Sequence, residues 1–279
     1  MLVKRVMSKN VVSVSVPGNR EKALDLMKKE NVSVLPVVKN GTKKLVGLLT
    51  RADLIVNPDE EQIAMLMSDN LVTVKPSDDI VIAASKMIEN NIRRVPVEDD
   101  NGDLVGIITS FDLVSQAIAN MEFDNPVEEF MITTVPTTWD KTPLNVAFES
   151  MKQFGLKSIL ALDDDSKLSG ILTETDFIVE SEIISERSEH SSTVGTEGDK
   201  WSWDSTSVLY IEKNRLKFTD KLVSDVAIGD VQVANMKTKV NDCAKKMKAL
   251  TIEQIPVVDV EGELIGLVRA SDLIKALVQ

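Results

Sequence analysis

Apolar and polar positions alternate in the same order at four places: LPVVKNGTKKLVGLLTRADL (35–54), VPVEDDNGDLVGIITSFDL (95–113), ILALDDDSKLSGILTETDF (159–177) and IPVVDVEGELIGLVRASDL (255–273). Each predicts a short apolar strand, an acidic or glycine turn, a second apolar strand opening at glycine, and a polar step ending in Asp. Upstream of each, REKALDLMKKENV, SDDIVIAASKMIENNI, TPLNVAFESMKQFGL and VNDCAKKMKALTI place apolar residues at i, i+3, i+4 and i+7. That spacing predicts helices with one buried face. Met27, Met87, Met151 and Met247 fall on those faces and read as core. A second helix is expected after each Asp, as in ADLIVNPDEEQIAMLM and FDLVSQAIANM.

The fold class is therefore α+β, a β-α-β-β-α unit repeated four times. The spacings support duplication. From the strand glycine to the Asp is six residues in every copy, 47 to 53, 106 to 112, 170 to 176 and 266 to 272. Met7, Met67, Met131 and Ala227 each precede Pro36, Pro96, Leu160 and Pro256 by 29 residues. One such unit is too small to bury much core alone, which predicts pairing of units. The repeats are set at 1–57, 61–120, 125–180 and 222–279, pairing as 1–120 and 125–279.

Residues 181–221 are an insert. Its first part, rich in Ser, Glu, Gly and Thr, reads as a surface loop. Its second part, VLYI and RLKF around Glu212-Lys213-Asn214, reads as a hairpin. Trp201 and Trp203 read as pinning the insert to the body, with ligand stacking as the alternative, and His190 reads as solvated.

Composition narrows the chemistry. Acidic residues outnumber basic ones 44 to 32, net −12, which argues against a whole-chain grip on nucleic acid or an anionic membrane. The imbalance is uneven: residues 1–60 carry net +5 and residues 61–124 net −8, so an anion site is expected first near the N-terminal quarter. One cysteine, Cys243, excludes an internal disulfide framework and a thiolate metal cluster, and it reads as a buried apolar group. One histidine leaves no His-rich metal site and makes a Ser-His-Asp triad improbable. No apolar run approaches the ~20 residues that span a bilayer. The opening MLVKRVMSKN carries charge too early for a secretory signal. A soluble, cytoplasmic protein is expected.

A strand with an apolar-Pro-Val core, an acidic turn and then Gly-x-x-Thr-x-x-Asp, repeated in pairs, resembles the CBS domain. Four copies without a catalytic domain are most similar to stand-alone archaeal proteins built of CBS domains alone. The resemblance implies that two copies pack as a pseudo-twofold Bateman module. The cleft between them would hold AMP, ADP, ATP or an S-adenosyl compound. It implies a ligand sensor without chemistry or catalytic cofactor of its own, acting through a regulated partner protein, with a homodimer as one assembly.

Thr50-Arg51-Ala52-Asp53, Thr109-Ser110-Phe111-Asp112 and Thr173-Glu174-Thr175-Asp176 each precede an apolar helical segment. A hydroxyl with an acid three residues on is a capping-box pattern, so each motif explains itself as a helix start. A helix N-terminus also offers N–H groups to an anion, and a carboxylate there can accept both ribose hydroxyls, the role the resemblance implies for each Asp. The two readings are compatible. Copy four departs from the pattern with Arg269-Ala270-Ser271-Asp272, and copy three with Leu160 in place of Pro.

By family position, phosphate contacts fall two and three residues before the Pro. Copy two has Arg93 and Arg94 there, copy one Ser33 and Val34, copy three Lys157 and Ser158, copy four Glu253 and Gln254. Consecutive strand residues point to opposite faces, so one arginine is expected at the cleft. Val12, Val32 and Val34, facing Ile107, would surround adenine, although strand valines are commonly plain core. Copy two ranks as the best nucleotide site. Glu253 is expected to repel phosphate from copy four, where the Asp272 carboxylate survives. That site is either empty, or Arg269 adds a cation to it for a differently charged ligand, and a cationic or uncharged adenosyl group suits it better than a phosphate. The competing function is an interaction scaffold with partly vestigial clefts. An enzyme has the weakest support, since no nucleophile-base set, metal spacing or glycine-rich phosphate loop occurs.

Overall fold

The structure, a computed structural model, describes residues 1–30, 32–56, 60–173, 176–177, 181–192, 207–218 and 220–279. Copy one contains strand β1 (Val14–Val16), helix α1 (Arg20–Lys29) and strands β2 (Val34–Lys39) and β3 (Leu45–Thr50). Asn19 starts α1 by accepting the Lys22 N–H, and Ala23 and Met27 carry its buried face. β1 pairs parallel with β2, with α1 as the crossover that a parallel step needs. β2 pairs antiparallel with β3 across a turn at Gly41, whose φ of +74° suits glycine.

After helices α2 (Arg51–Val56) and α3 (Ile63–Leu66), copy two repeats the plan with α4 (Ile80–Glu89), β4 (Arg94–Glu98) and β5 (Leu104–Thr109). Its first strand is reduced to a parallel bridge from Val74 to Val97. β5 runs into helix α5 (Ser110–Asp112), a π turn Leu113–Ala117 and a 3-10 turn Ile118–Asn120. Copy three consists of β6 (Thr137–Trp139), α6 (Leu144–Gln153), β7 (Ser158–Leu162) and β8 (Leu168–Thr173). After the insert, copy four has β11 (Ala234–Asn235), α7 (Val240–Leu250), β12 (Gln254–Val258), β13 (Leu264–Arg269) and α8 (Ala270–Leu273). The four long helices leave in the same way. The N–H groups of Val32, Ile92, Leu156 and Ile252 donate to the carbonyls of Met27, Met87, Met151 and Met247. All four methionines are buried, as their spacing predicts.

The insert differs from its reading. Strand β9 (Ser181–Ser192) pairs antiparallel with β10 (Ser207–Phe218) over their whole length, Ser181 opposite Phe218 and Ser192 opposite Ser207. VLYI and RLKF thus lie on one strand rather than on two arms of a hairpin. The strand runs unbroken through Glu212-Lys213-Asn214, which holds no glycine or proline to turn the chain. The segment read as a loop supplies the partner strand and includes His190. Trp201 and Trp203 lie outside the described residues.

The copies exchange their opening turns. Ser8 of copy one forms a two-way backbone bridge with Ile107 of copy two, and Ser68 of copy two does the same with Leu48 of copy one. Ile132 of copy three bridges Leu267 of copy four, and Ile228 of copy four bridges Ile171 of copy three. The apolar residues follow. Ile63 and Leu66 complete the core of copy one, and Val223 that of copy three.

Two compact units result, Met1–Thr133 with Val233–Asp259 and Ile265–Gln279, and Thr134–Gln232 with Val260–Leu264. This differs from a division between residues 120 and 125. The reason is packing: Val240, Cys243, Ala244 and Met247 of copy four enter one core with Leu113, Val114, Ala117 and Ile118 of copy two.

Candidate functional site

β3 and β5 end at Thr50 and Thr109, and a helix starts at the next residue. The Thr50 N–H donates to Asp53 Oδ2 at 2.7 Å and its hydroxyl to the same oxygen at 2.8 Å. Thr109 makes the same two bonds to Asp112 Oδ2, at 2.8 and 2.7 Å, and Thr173 to Asp176 Oδ2, at 2.7 and 2.8 Å. The Thr50 and Thr109 hydroxyls accept the N–H groups of Asp53 and Asp112 in return. The capping role is therefore real in these copies, contributing about 1 kcal/mol each. It occupies one carboxylate oxygen only. Among the described residues, Oδ1 of Asp53 and of Asp112 accepts no hydrogen bond.

Strand pairing brings a second group to each turn. Arg94 is the ladder partner of Thr109, as Val34 is of Thr50 and Ser158 of Thr173. Arg94 is half-buried, and its Nη1 donates to the Ser33 hydroxyl of copy one. Burial pulls its pKa below the ordinary guanidinium value, and the nearby Arg93 and Arg51 charges act the same way. Glu253 and Asp112 oppose that shift. Burial likewise pushes the Asp112 carboxyl up, against the Thr109 hydrogen bonds and the Arg94 charge. The neighbouring Arg93 is exposed and points elsewhere, with Nη1 3.7 Å from Glu253 Oε2 of copy four.

Copy four is arranged differently. Arg269 Nε donates to Asp272 Oδ2 at 2.7 Å and its Nη2 to Oδ1 at 3.1 Å, while Lys275 Nζ lies 3.3 Å from Oδ1. Asp272 is 2% exposed, and both of its oxygens are occupied. The fork of a guanidinium matches a carboxylate in two bonds, so the arginine in the threonine position takes up the group expected to accept a ribose. The bond also pulls the Arg269 pKa upward.

A family model for the CBS domain matches residues 3–58, 61–118, 127–182 and 223–279. The chain belongs to the CBS-domain family. Its structure is similar to that of an uncharacterized conserved protein from Pyrococcus horikoshii, with TM-score 0.70 and 28% identity over 99% of this chain and 100% of that one. It also resembles protein MJ1225 of Methanocaldococcus jannaschii, described as a candidate archaeal homologue of g-AMPK, with TM-score 0.69 and 20% identity over 99% of both chains. At that identity the likeness is one of fold. L-aspartate semialdehyde sulfurtransferase of Methanosarcina acetivorans is 34% identical over 108 residues, which are 39% of this chain but 21% of that enzyme.

The other expected CBS site residues are placed as follows. Val12 and Val32 are partly buried against the copy one core. Val34 is half-buried beside Thr50, and Ile107 bonds through its backbone to Ser8, four residues before Val12. Lys157 is exposed immediately before β7. Lys275 escaped the sequence reading, as did the partners of Ser33 and Glu253. Ser33 holds Arg94, and Lys275 reaches Asp272 from one helical turn on, an i,i+3 spacing that was visible. Glu253, read as a group of copy four's cleft, also comes within 3.7 Å of Arg93 of copy two. No group of three or more metal-binding side chains occurs among the described residues, and no described helix is long and apolar enough to cross a membrane.

Proposed function

We propose that the protein is a regulatory binding protein for an adenosine-containing ligand, AMP, ADP, ATP or S-adenosylmethionine, seated first at copy two. One observation carries this reading: the Thr109–Asp112 turn keeps Asp112 Oδ1 open close to the half-buried Arg94. A carboxylate at a helix start can accept both ribose hydroxyls, and the guanidinium can meet a phosphate through charge-assisted bonds. Val12, Val32, Val34 and Ile107 offer aliphatic surface for the adenine. Copy one has the same turn with Val34 in the arginine position, which suits an adenosyl group without phosphate there. In copy three, Thr173 and Asp176 would be joined by Lys157, which stands in the position of Arg93, with Ser158 in that of Arg94. Copy four is closed by its own Arg269 and Lys275. Occupancy would be read by a partner protein, and no catalytic cofactor enters the reading.

Calorimetric titration with adenosine, AMP, ADP, ATP and S-adenosylmethionine tests it. Arg94→Ala should weaken AMP binding by roughly ten- to a hundredfold, the equivalent of the roughly 1.5–3 kcal/mol of a charged hydrogen bond, and leave adenosine nearly unchanged. Unaltered AMP affinity would remove copy two as a phosphate site. The self-occupied Asp272 favours a second reading, an interaction scaffold with vestigial clefts. Failure of the whole panel to bind would leave that one standing.

A further inference from the structure

We infer that Glu253, supplied by copy four, sets how much negative charge the copy two site accepts. The inference rests on the nucleotide reading of copy two and adds a specificity residue from a different repeat.

Glu253, Arg93 and Ser33 occupy the same position in their repeats, three residues before the proline. Their backbones are held alike, each carbonyl accepting the N–H of the first residue after its β13, β5 or β3 strand. Those donors are Ala270 at 2.7 Å, Ser110 at 2.9 Å and Arg51 at 3.1 Å. The repeats therefore differ here in side chain, not in backbone. At 3.7 Å the Arg93–Glu253 pair is longer than a hydrogen bond, and its side chains are 43% and 50% exposed. A pair of that kind adds little to stability and opens readily.

Its charge still reaches the site. Glu253 favours the cationic form of Arg94 and disfavours the ionised form of Asp112. Arg51 and Arg93 are cations near Arg94, and Glu253 already engages Arg93. A monophosphate can rely on Arg94. A ligand with more phosphates must draw on the other cations, and must displace or face the Glu253 carboxylate to do so. Repulsion grows with ligand charge, so Glu253 should penalise ATP most, AMP less and adenosine not at all.

The experiment titrates adenosine, AMP and ATP into wild type, Glu253→Gln and the double variant Arg93→Gln/Glu253→Gln at one fixed salt concentration. Glu253→Gln should raise ATP affinity about tenfold and AMP affinity about threefold, leaving adenosine unchanged. In the double variant the preferential gain for ATP should disappear. An equal change for all three ligands, no change, a loss, or a gain that survives in the double variant overturns the inference. If wild type binds the nucleotides and Glu253→Gln binds them identically, only this inference falls. If neither protein binds any of them, the nucleotide reading falls with it. Glu253→Ala serves as a second variant, and since half of this side chain is exposed, both should melt within a few degrees of wild type.

Discussion

Met7 of copy one lies over Gly106 of copy two, so close that a Cβ on the glycine would sit 2.6 Å from the methionine sulfur. The relation is reciprocal: Met67 covers Gly47 in the same way, Met131 covers Gly266, and Ala227 covers Gly170. The glycine six residues before each Asp is thus the seat of the opposite copy's opening turn. Gly106→Ala should destabilise the fold by about 1–3 kcal/mol, because the Ser8 carbonyl stands 3.1 Å from the new atom and cannot swing away. Urea denaturation measures this, and part of the loss should return when Met7→Ala is added.

Replacing Arg269 by Thr rebuilds the Thr-x-x-Asp turn in copy four and frees one side of Asp272. The Arg269→Thr protein should bind one more equivalent of adenosine ligand than wild type in calorimetry. It should also lose stability, up to roughly 3 kcal/mol, because a buried carboxylate gives up its closest partner. Unchanged stoichiometry would show that copy four is closed by more than this arginine.

Acidification should release the ligand early. The folded pKa of Asp112 is raised, chiefly by burial, so its carboxylate protonates at a higher pH than an ordinary aspartate near 3.9. A protonated carboxyl no longer accepts two ribose hydroxyls, and adenosine affinity should fall as the pH drops through that raised value. The effect on stability has the opposite sign: with the folded pKa above the unfolded one, this group's contribution is largest in acid and declines as pH rises through the folded pKa. Titrations between about pH 4 and 7, with Asp112→Asn as the control lacking the transition, measure the first effect.

Cys243 should stay unreactive in the native protein. It is fully buried in α7, and burial pushes its thiol pKa up to about 12, so almost no thiolate exists at neutral pH. A thiol-specific reagent should label it slowly in buffer and promptly in denaturant. Rapid native labelling would mean that the core shared by copies two and four opens.

The parts legible in the sequence are those governed by near neighbours along the chain. The buried faces of α1, α4, α6 and α7 follow from a spacing of three and four residues, and Met27, Met87, Met151 and Met247 land where that spacing puts them. Each threonine turn is a contact between residues three apart, so its capping geometry could be anticipated. The insert misled because alternation shows that a strand exists without saying which strand pairs with it. Residues 207–218 therefore looked like two arms, when their partner lies at 181–192.

The sequence by itself determined the repeated unit, its helix faces and the three Thr–Asp turns, because local hydrogen bonds and periodic burial are written into adjacent residues. Tertiary structure alone decided that Met7 belongs over Gly106, that α7 enters the core of copy two, and that Glu253 comes up to Arg93 of copy two. Those contacts join surfaces that several folds of the same units could pair. The choice among them depends on the fit of whole packed faces, which no short stretch of sequence encodes.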